Sequence, residues 1–214
     1  MEEAFSAAGL RLIHVDDALL VVDKPSGLLS VPGRGAERQD CVAARVQRLC
    51  PEALVVHRLD METSGLMLLA RGYDAQRALS IAFQQRRVSK RYEALIAGQP
   101  QADGGEIDLP LITDWPNRPR QIVDFRVGKP SLTHYRVMAR HVSYSRVELL
   151  PVTGRSHQLR VHLRFLGHPI LGDSLYANPT AQKMAPRLQL HATDLSFEHP
   201  QSGRQIALNC PAPF

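Results

Sequence analysis

The chain carries few cysteines and pairs none of them: Cys41, Cys50 and Cys210 are an odd set with no CxxC spacing. That argues against a disulfide framework and favours a reducing cytosol. No run approaches the ~20 consecutive apolar residues needed to span a bilayer. The opening stretch, MEEAFSAAGLRLIHVDD, holds acidic residues and no unbroken apolar core, so it is not expected to act as a signal peptide. Internal repeats, low-complexity tracts and a clean linker are also missing. The expectation is a cytoplasmic protein, monomeric for want of any sign of an obligate interface, with residues 1–214 forming one working unit.

Apolar residues make up 44% of the chain and are spread along it, enough to build a buried core, and charged residues make up 22%. Neither figure belongs to a disordered composition. The formal net charge of +5 and pI near 9.4 favour a polyanionic partner, because each phosphate neutralised releases condensed counterions.

Two short apolar runs, 10–15 and 19–22, flank Asp16-Asp17 and predict a hairpin. Residues 24–38, KPSGLLSVPGRGAER, are rich in Pro and Gly and predict a loop. Asp40 is placed to cap a helix over 41–49. A strand starting at Val55 should run into His57-Arg58-Leu59-Asp60, with a second over 66–70. The spacing over 73–87 predicts an amphipathic helix with Ala78, Ile81 and Ala82 on one face. Residues 92–97 read as a strand, and 99–119 as a Pro- and Gly-bearing excursion with one short strand. Further strands are expected over 121–127, 133–139, 145–150, 188–197 and 205–208. Ser156 is placed to cap a helix running to Leu166, with Leu159, Leu163 and Leu166 in one row and Gly167 at its end. Strands outnumber helices and short turns separate them, so an α+β fold is expected rather than βαβ repeats.

The most informative string is His57-Arg58-Leu59-Asp60-Met61-Glu62-Thr63-Ser64-Gly65. It is a strand end breaking into a polar turn, which sets a carboxylate beside hydroxyl and backbone donors. Read singly, Asp60 is an ordinary turn cap. Three other strings stand with it: VVDKPSGLLSVPG at 21–33, KRYEA at 90–94, and LLPVTGRSHQLRVHLRFLGHPILGDSLY at 149–176.

Taken together and in this order, the four strings resemble the signature motifs of the RluA family of pseudouridine synthases. The family's fold, a central mixed and largely antiparallel sheet flanked by helices and loops with a catalytic cleft, is what the resemblance implies. It also implies that Asp60 is the catalytic carboxylate, Tyr92 the active-site tyrosine and Arg155 the active-site arginine, and that the cleft brings the three together. The segments LPLITDWPNRPRQ and GHPILGDSLYANPTAQKMAPRLQLHA are most similar to the branch of the family that acts on RNA of two kinds. Those are a hairpin of large-subunit (23S) rRNA and a tRNA anticodon stem-loop. The length leads to the expectation of the bare catalytic domain, without an additional RNA-binding domain.

Converting uridine to pseudouridine breaks the N1–C1′ bond, turns the uracil and joins C5 to C1′. Only the C5 proton leaves and no electrons are transferred, so no cofactor and no metal are expected. A carboxylate near sugar and base is required, and three roles are open to Asp60: attack at C1′, addition at C6, or removal of a sugar proton. Arg155 would hold that carboxylate ionised through its planar fork. Tyr92 suits stacking on the displaced uracil better than proton transfer, since a phenol is a poor base near neutrality. The target base is stacked in a loop and must be flipped out, and Arg58 is the candidate to brace the vacated space.

Leu159 is expected to line the uracil pocket, with His157 and Gln158 as polar neighbours in substrate binding. Arg86, Arg87, Lys90 and Arg91 form the densest basic run for RNA contact, and Arg118, Arg120, Arg126 and Lys129 a second. Trp115 either offers a stacking platform or pins its loop.

Other readings fare worse. His157, His162 and His168 do not form an HExxH metal motif. Ser64 lacks the first glycine of GxSxG. An RNA-binding module without activity has no need of Asp60, Tyr92 and Arg155 together.

Overall fold

A computed structural model describes residues 2–214, and the chain divides into two compact units. The first comprises residues up to Lys90 together with 192–213, the second residues 91–191 with Phe214. No helix among the described residues is long and apolar enough to cross a membrane.

The first unit opens with helix α1 (Glu2–Ala7) and the hairpin β1 (Arg11–Val15) and β2 (Leu19–Lys24). Asp16 closes this turn, its Oδ1 accepting from the amides of Ala18 and Leu19. Helix α2 (Val42–Gln47) follows the Pro/Gly loop, then β3 (Ala53–Val55), β4 (Ser64–Arg71) and α3 (Tyr73–Gln84).

The second unit contains β5 (Ser89–Ala97), β6 (Gly104–Asp108), β7 (Leu111–Thr113), β8 (Gln121–Val123), β9 (Leu132–Arg140) and β10 (Tyr144–Pro151). Helices α4 (Gln158–Phe165) and α5 (Pro179–Lys183) complete it. The chain then returns to the first unit through β11 (Leu190–Glu198) and β12 (Gln205–Asn209).

In the first unit the strand order is β1-β2-β4-β11-β12, with β3 added to β4. Strand β4 is its buried centre: every residue from Ser64 to Ala70 is buried. Its alternation sends Leu66, Leu68 and Ala70 to one side, where they pack with Leu19 and Val21 of β2, Phe197 of β11 and helix α3. The helix faces them with Ala75, Leu79 and Ala82, not the expected Ala78, Ile81 and Ala82. An i, i+4, i+7 row wins because Leu79 brings more apolar area to the sheet than its neighbour Ala78 would.

In the second unit the order is β5-β10-β9-β6, and β7 and β8 form a separate two-stranded sheet. Ala94 and Ile96 of β5, Val147 and Leu149 of β10 and Leu159 and Leu163 of α4 make the core. The strand pairings described within each unit are antiparallel, and a lone parallel bridge joins Leu29 and Cys41. The α+β reading therefore holds.

Two helix starts fall one residue away from the expected cap. The Cys41 sulfur, not Asp40, accepts from Ala44 N, because Asp40 turns outward to a two-point pair with Arg45. The start of α4 is at His157 rather than Ser156. The expected strand over 121–127 stops at Val123, where Asp124 accepts from the amides of Arg126 and Val127 and forms a turn. The excursion holds two strands, β6 and β7, rather than one.

Gly65 explains one letter of the sequence motif. Its φ is +110°, and a Cβ there would lie 2.3 Å from the carbonyl oxygen of Ala192 and 2.6 Å from its nitrogen. Both obstacles are backbone of the neighbouring strand, which side-chain repacking does not relieve. Gly65→Ala is expected to destabilise by on the order of 3 kcal/mol or more, read as a fall in the denaturant midpoint. An unchanged midpoint would contradict this packing.

Candidate active site

In the first unit, the KPSGLLS loop and the turn that carries Asp60 are bound together backbone to side chain. Lys24, the last residue of β2, is completely buried. Its ammonium donates to the carbonyls of Pro25 (2.9 Å), Leu28 (2.7 Å) and Met61 (2.8 Å). An ammonium has three N–H donors and no acceptor, so the three carbonyls use its capacity in full. Burial pulls the Lys24 pKa down to about 7, and the negative charges of Asp60, Glu62 and Asp23 oppose that.

Ser26 Oγ donates to Glu62 O at 2.6 Å, and Gly27 N donates to Met61 O at 2.9 Å. Ser30 Oγ donates to Leu59 O at 2.7 Å and accepts from Leu59 N at 3.0 Å. Residues 59–62 are thus gripped on both sides of Asp60. The turn itself closes through Thr63 N to Asp60 O. Asp60 is half-buried in it, and Arg58 is exposed two residues earlier.

His57 anchors the start of the turn. Its Nε2 accepts from Leu68 N at 2.9 Å and its ring stacks on Phe83 at 4.7 Å. Accepting an amide proton requires a neutral ring. Desolvation, and then the Lys90 charge, push its pKa down to about 3.

In the second unit, Tyr92 sits half-buried on β5 opposite Leu149 and packs against the core that includes Leu159. Leu159 is itself buried on the inner face of α4. Arg155 is exposed, with Nε donating to Pro130 O at 3.4 Å. Its position is set by Gln158, which is 4% exposed. Gln158 Oε1 accepts from Arg155 N (3.0 Å) and Thr153 Oγ1 (2.8 Å). Its Nε2 donates to Leu132 O and Thr133 Oγ1.

His157 takes the left-handed conformation, φ 55° and ψ 16°, which side chains other than glycine rarely adopt. Its Nδ1 lies 2.7 Å from the Tyr176 hydroxyl, which also accepts from Gln121 N at 2.7 Å. Beneath the Tyr176 ring lies the Arg160 guanidinium, 5.1 Å from its centroid. That guanidinium meets Asp173 through two bonds of 2.8 and 2.7 Å, and both partners are buried. Asp173 Oδ1 also accepts from the amides of Leu175 and Tyr176. The Arg155 turn is therefore tied to the 173–176 segment.

The basic run splits in two. Arg86 and Arg87 are exposed where α3 ends, whereas Lys90 and Arg91 are half-buried. Arg91 pairs with Glu93 at 3.3 Å, and desolvation lowers the Lys90 pKa. The three histidines of 157–168 point to separate partners: His162 Nδ1 to Thr133 and His168 Nδ1 to the carbonyl of Ala97.

Residue-type reading missed Lys24, Ser26 and Ser30, although KPSGLLS was plain as a string; it registered only as a turn-forming composition. Thr153, Asp173 and Tyr176 were missed for the same reason, as members of a motif without a role of their own.

Residues 18–165 match the family model described as RNA pseudouridylate synthase. The chain belongs to the RNA pseudouridylate synthase family. It is 51% identical over 206 residues to the dual-specificity RNA pseudouridine synthase RluA of Escherichia coli (strain K12), covering 96% of this chain and 94% of that one. The protein of the same name from Yersinia pestis is 51% identical over 204 residues, covering 95% and 99%.

Among solved structures, human RNA pseudouridylate synthase domain containing 1 is 29% identical with a TM-score of 0.81, covering 96% of this chain and 84% of that one. Human RNA pseudouridylate synthase domain containing 4 is 28% identical with a TM-score of 0.79, covering 99% and 93%. The protein is a pseudouridine synthase, an isomerase acting on RNA. The family match takes in Lys24, Asp60, Tyr92 and Arg155 and ends before Asp173 and Tyr176.

Removing the Lys24 ammonium leaves three carbonyl acceptors without it. Lys24→Met is expected to lower stability by on the order of 3 kcal/mol and to depress turnover through the loosened Asp60 turn. Wild-type melting and turnover in this variant would refute the grip described above.

A second expectation concerns acid. His57 and His162 have folded pKa values of about 3 and about 4, below the unfolded value of 6.5. The unfolded chain therefore binds protons that the fold excludes, and stability falls as pH drops from about 6.5 toward 4. His57→Gln keeps an acceptor for Leu68 N, and its melting temperature should depend less on pH across that window.

Proposed function

We propose that the enzyme isomerises specific uridines in structured RNA hairpin loops, acting on both a large-subunit (23S) rRNA hairpin and a tRNA anticodon stem-loop in the cytoplasm. The observation that carries this is the 51% identity, over nearly the full length of both chains, to relatives named for dual specificity. The two compact units work as one catalytic unit, as a monomer, with neither cofactor nor metal, since the isomerisation is redox-neutral and needs no activated donor.

In this reading Asp60 is the reacting carboxylate, attacking C1′ or C6 or removing a sugar proton from the flipped nucleotide. Its support is mechanical as well as by motif. A turn gripped at residues 59, 61 and 62 holds a carboxylate in one place, which limits the reorganisation needed on the way to the transition state. Tyr92 stacks on the uracil and Leu159 closes the apolar side of its pocket. Arg155 keeps the carboxylate ionised, and Arg58 occupies the space the base leaves.

His157 and Gln158 serve the substrate through Arg155. Gln158 has its amide oxygen and nitrogen both engaged, so its contribution is to hold the Arg155 backbone. His157 pins the same turn through Tyr176. Arg86 and Arg87 meet phosphate directly, with Lys90 and Arg91 beside them.

The test combines mapping and one substitution. Chemical mapping of pseudouridines in cells with and without the gene is expected to show sites lost from both rRNA and tRNA. Asp60→Asn is expected to restore none of them and to cut turnover by at least about 10³-fold, while RNA affinity stays nearly intact. Turnover retained by Asp60→Asn would remove Asp60 from its role, and loss of sites from one RNA class alone would remove dual specificity.

A further inference from the structure

Trp115 is the only tryptophan in the chain, and the structure leaves it 66% exposed at the turn between β7 and β8. An indole that pinned this turn would be buried in it. Instead the turn is closed by its own backbone: Asn117 N donates to Asp114 O, Arg120 N to Asn117 O, and Asp114 N to Arg120 O. Its base is anchored below. Gln121 N donates to the buried Tyr176 hydroxyl and Arg120 Nη2 to Leu175 O. Arg120 is thereby a structural tie, not a free cation for phosphate.

The Arg118 guanidinium lies over the Trp115 ring, 4.8 Å from its centroid. One face of the indole is thus occupied by a cation on a rigid turn. Arg118 is exposed on the same turn, while Arg126 and Lys129 are exposed at the opposite end of the β7–β8 hairpin, where Lys129 bridges Leu111. The acid of the turn itself, Asp114, is engaged locally by Asn117. An indole held open on an ordered turn, with a guanidinium on one face, has the make-up of a stacking platform. A planar, anionic partner that stacks and also meets guanidinium groups is single-stranded nucleic acid.

We propose that an unpaired base of the RNA substrate, outside the uridine being isomerised, stacks on the open face of Trp115 while a flanking phosphate meets Arg118. The turn is then a second recognition point on the RNA. It rests on the assignment of RNA as substrate and adds a contact remote in sequence from Asp60, Tyr92 and Arg155.

A lone tryptophan makes the test direct. A synthetic stem-loop that the wild-type enzyme converts is titrated while indole emission is followed, so a negative result reflects the stacking and not the choice of RNA. The emission is expected to be quenched to saturation at the same midpoint as binding. Trp115→Ala is expected to raise KM by roughly ten- to hundred-fold with kcat and melting temperature little changed, and Trp115→Phe to retain most of the affinity. Unquenched emission at saturating stem-loop would overturn the proposal, as would an unchanged KM in Trp115→Ala. So would an emission response to anionic lipid vesicles in the absence of any response to RNA.

Discussion

One buried ammonium organises the turn that carries Asp60. Lys24 has no water to bond, so its protons must go to protein acceptors, and the three it finds belong to two separate stretches of chain. The energetic asymmetry of buried polar groups makes such a knot strong: each partner is costly to leave unpaired, whatever the net gain of pairing. The hydroxyls of Ser26 and Ser30 extend the same logic to Glu62 and Leu59. In this way the co-occurrence of a Pro/Gly-rich loop and an acidic turn acquires a physical reason. The first is the mould of the second.

The second unit solves a similar problem with different chemistry. An exposed arginine has many rotamers, and its usefulness depends on where its backbone is held. Gln158 fixes that backbone from inside the helix it begins, and His157 accepts an unfavourable left-handed conformation next to it. The strain is offset by the bond to Tyr176, whose own position rests on a buried, fully paired Arg160–Asp173 couple. Breaking either partner of such a couple leaves a charge in the interior, so the whole segment tends to hold together or fail together. Among the described residues no buried side-chain nitrogen or oxygen lacks a hydrogen-bond partner, which is what this kind of scaffold requires.

Local signals were reliable where one interaction dominates. The Asp16 turn, the β4 run, Gly167 after α4 and the late strands all follow from turn chemistry or apolar alternation acting over a few residues. They failed where two local partners compete. Asp40 is a good cap but a better ion-pair partner for Arg45, and the Cys41 sulfur takes the cap instead. Ser156 is a good cap too, yet the pull of Tyr176 on His157 shifts the helix start. On α3, periodicity was right and the face was off, because which alanines count is decided by the sheet beneath them.

By itself the amino-acid sequence determined the fold class, most strand and helix positions, the family and its chemistry, since motif strings and apolar periods are written in residue order. Tertiary structure alone decided how those strings act on one another: that Lys24 grips the Asp60 turn, that Gln158 bonds Leu132 and Thr133, and that Trp115 faces outward. Hydrogen bonds between segments dozens of residues apart, and the loss of water around them, leave no local pattern to read. They exist only once the chain has brought their donors and acceptors together in a place solvent does not reach.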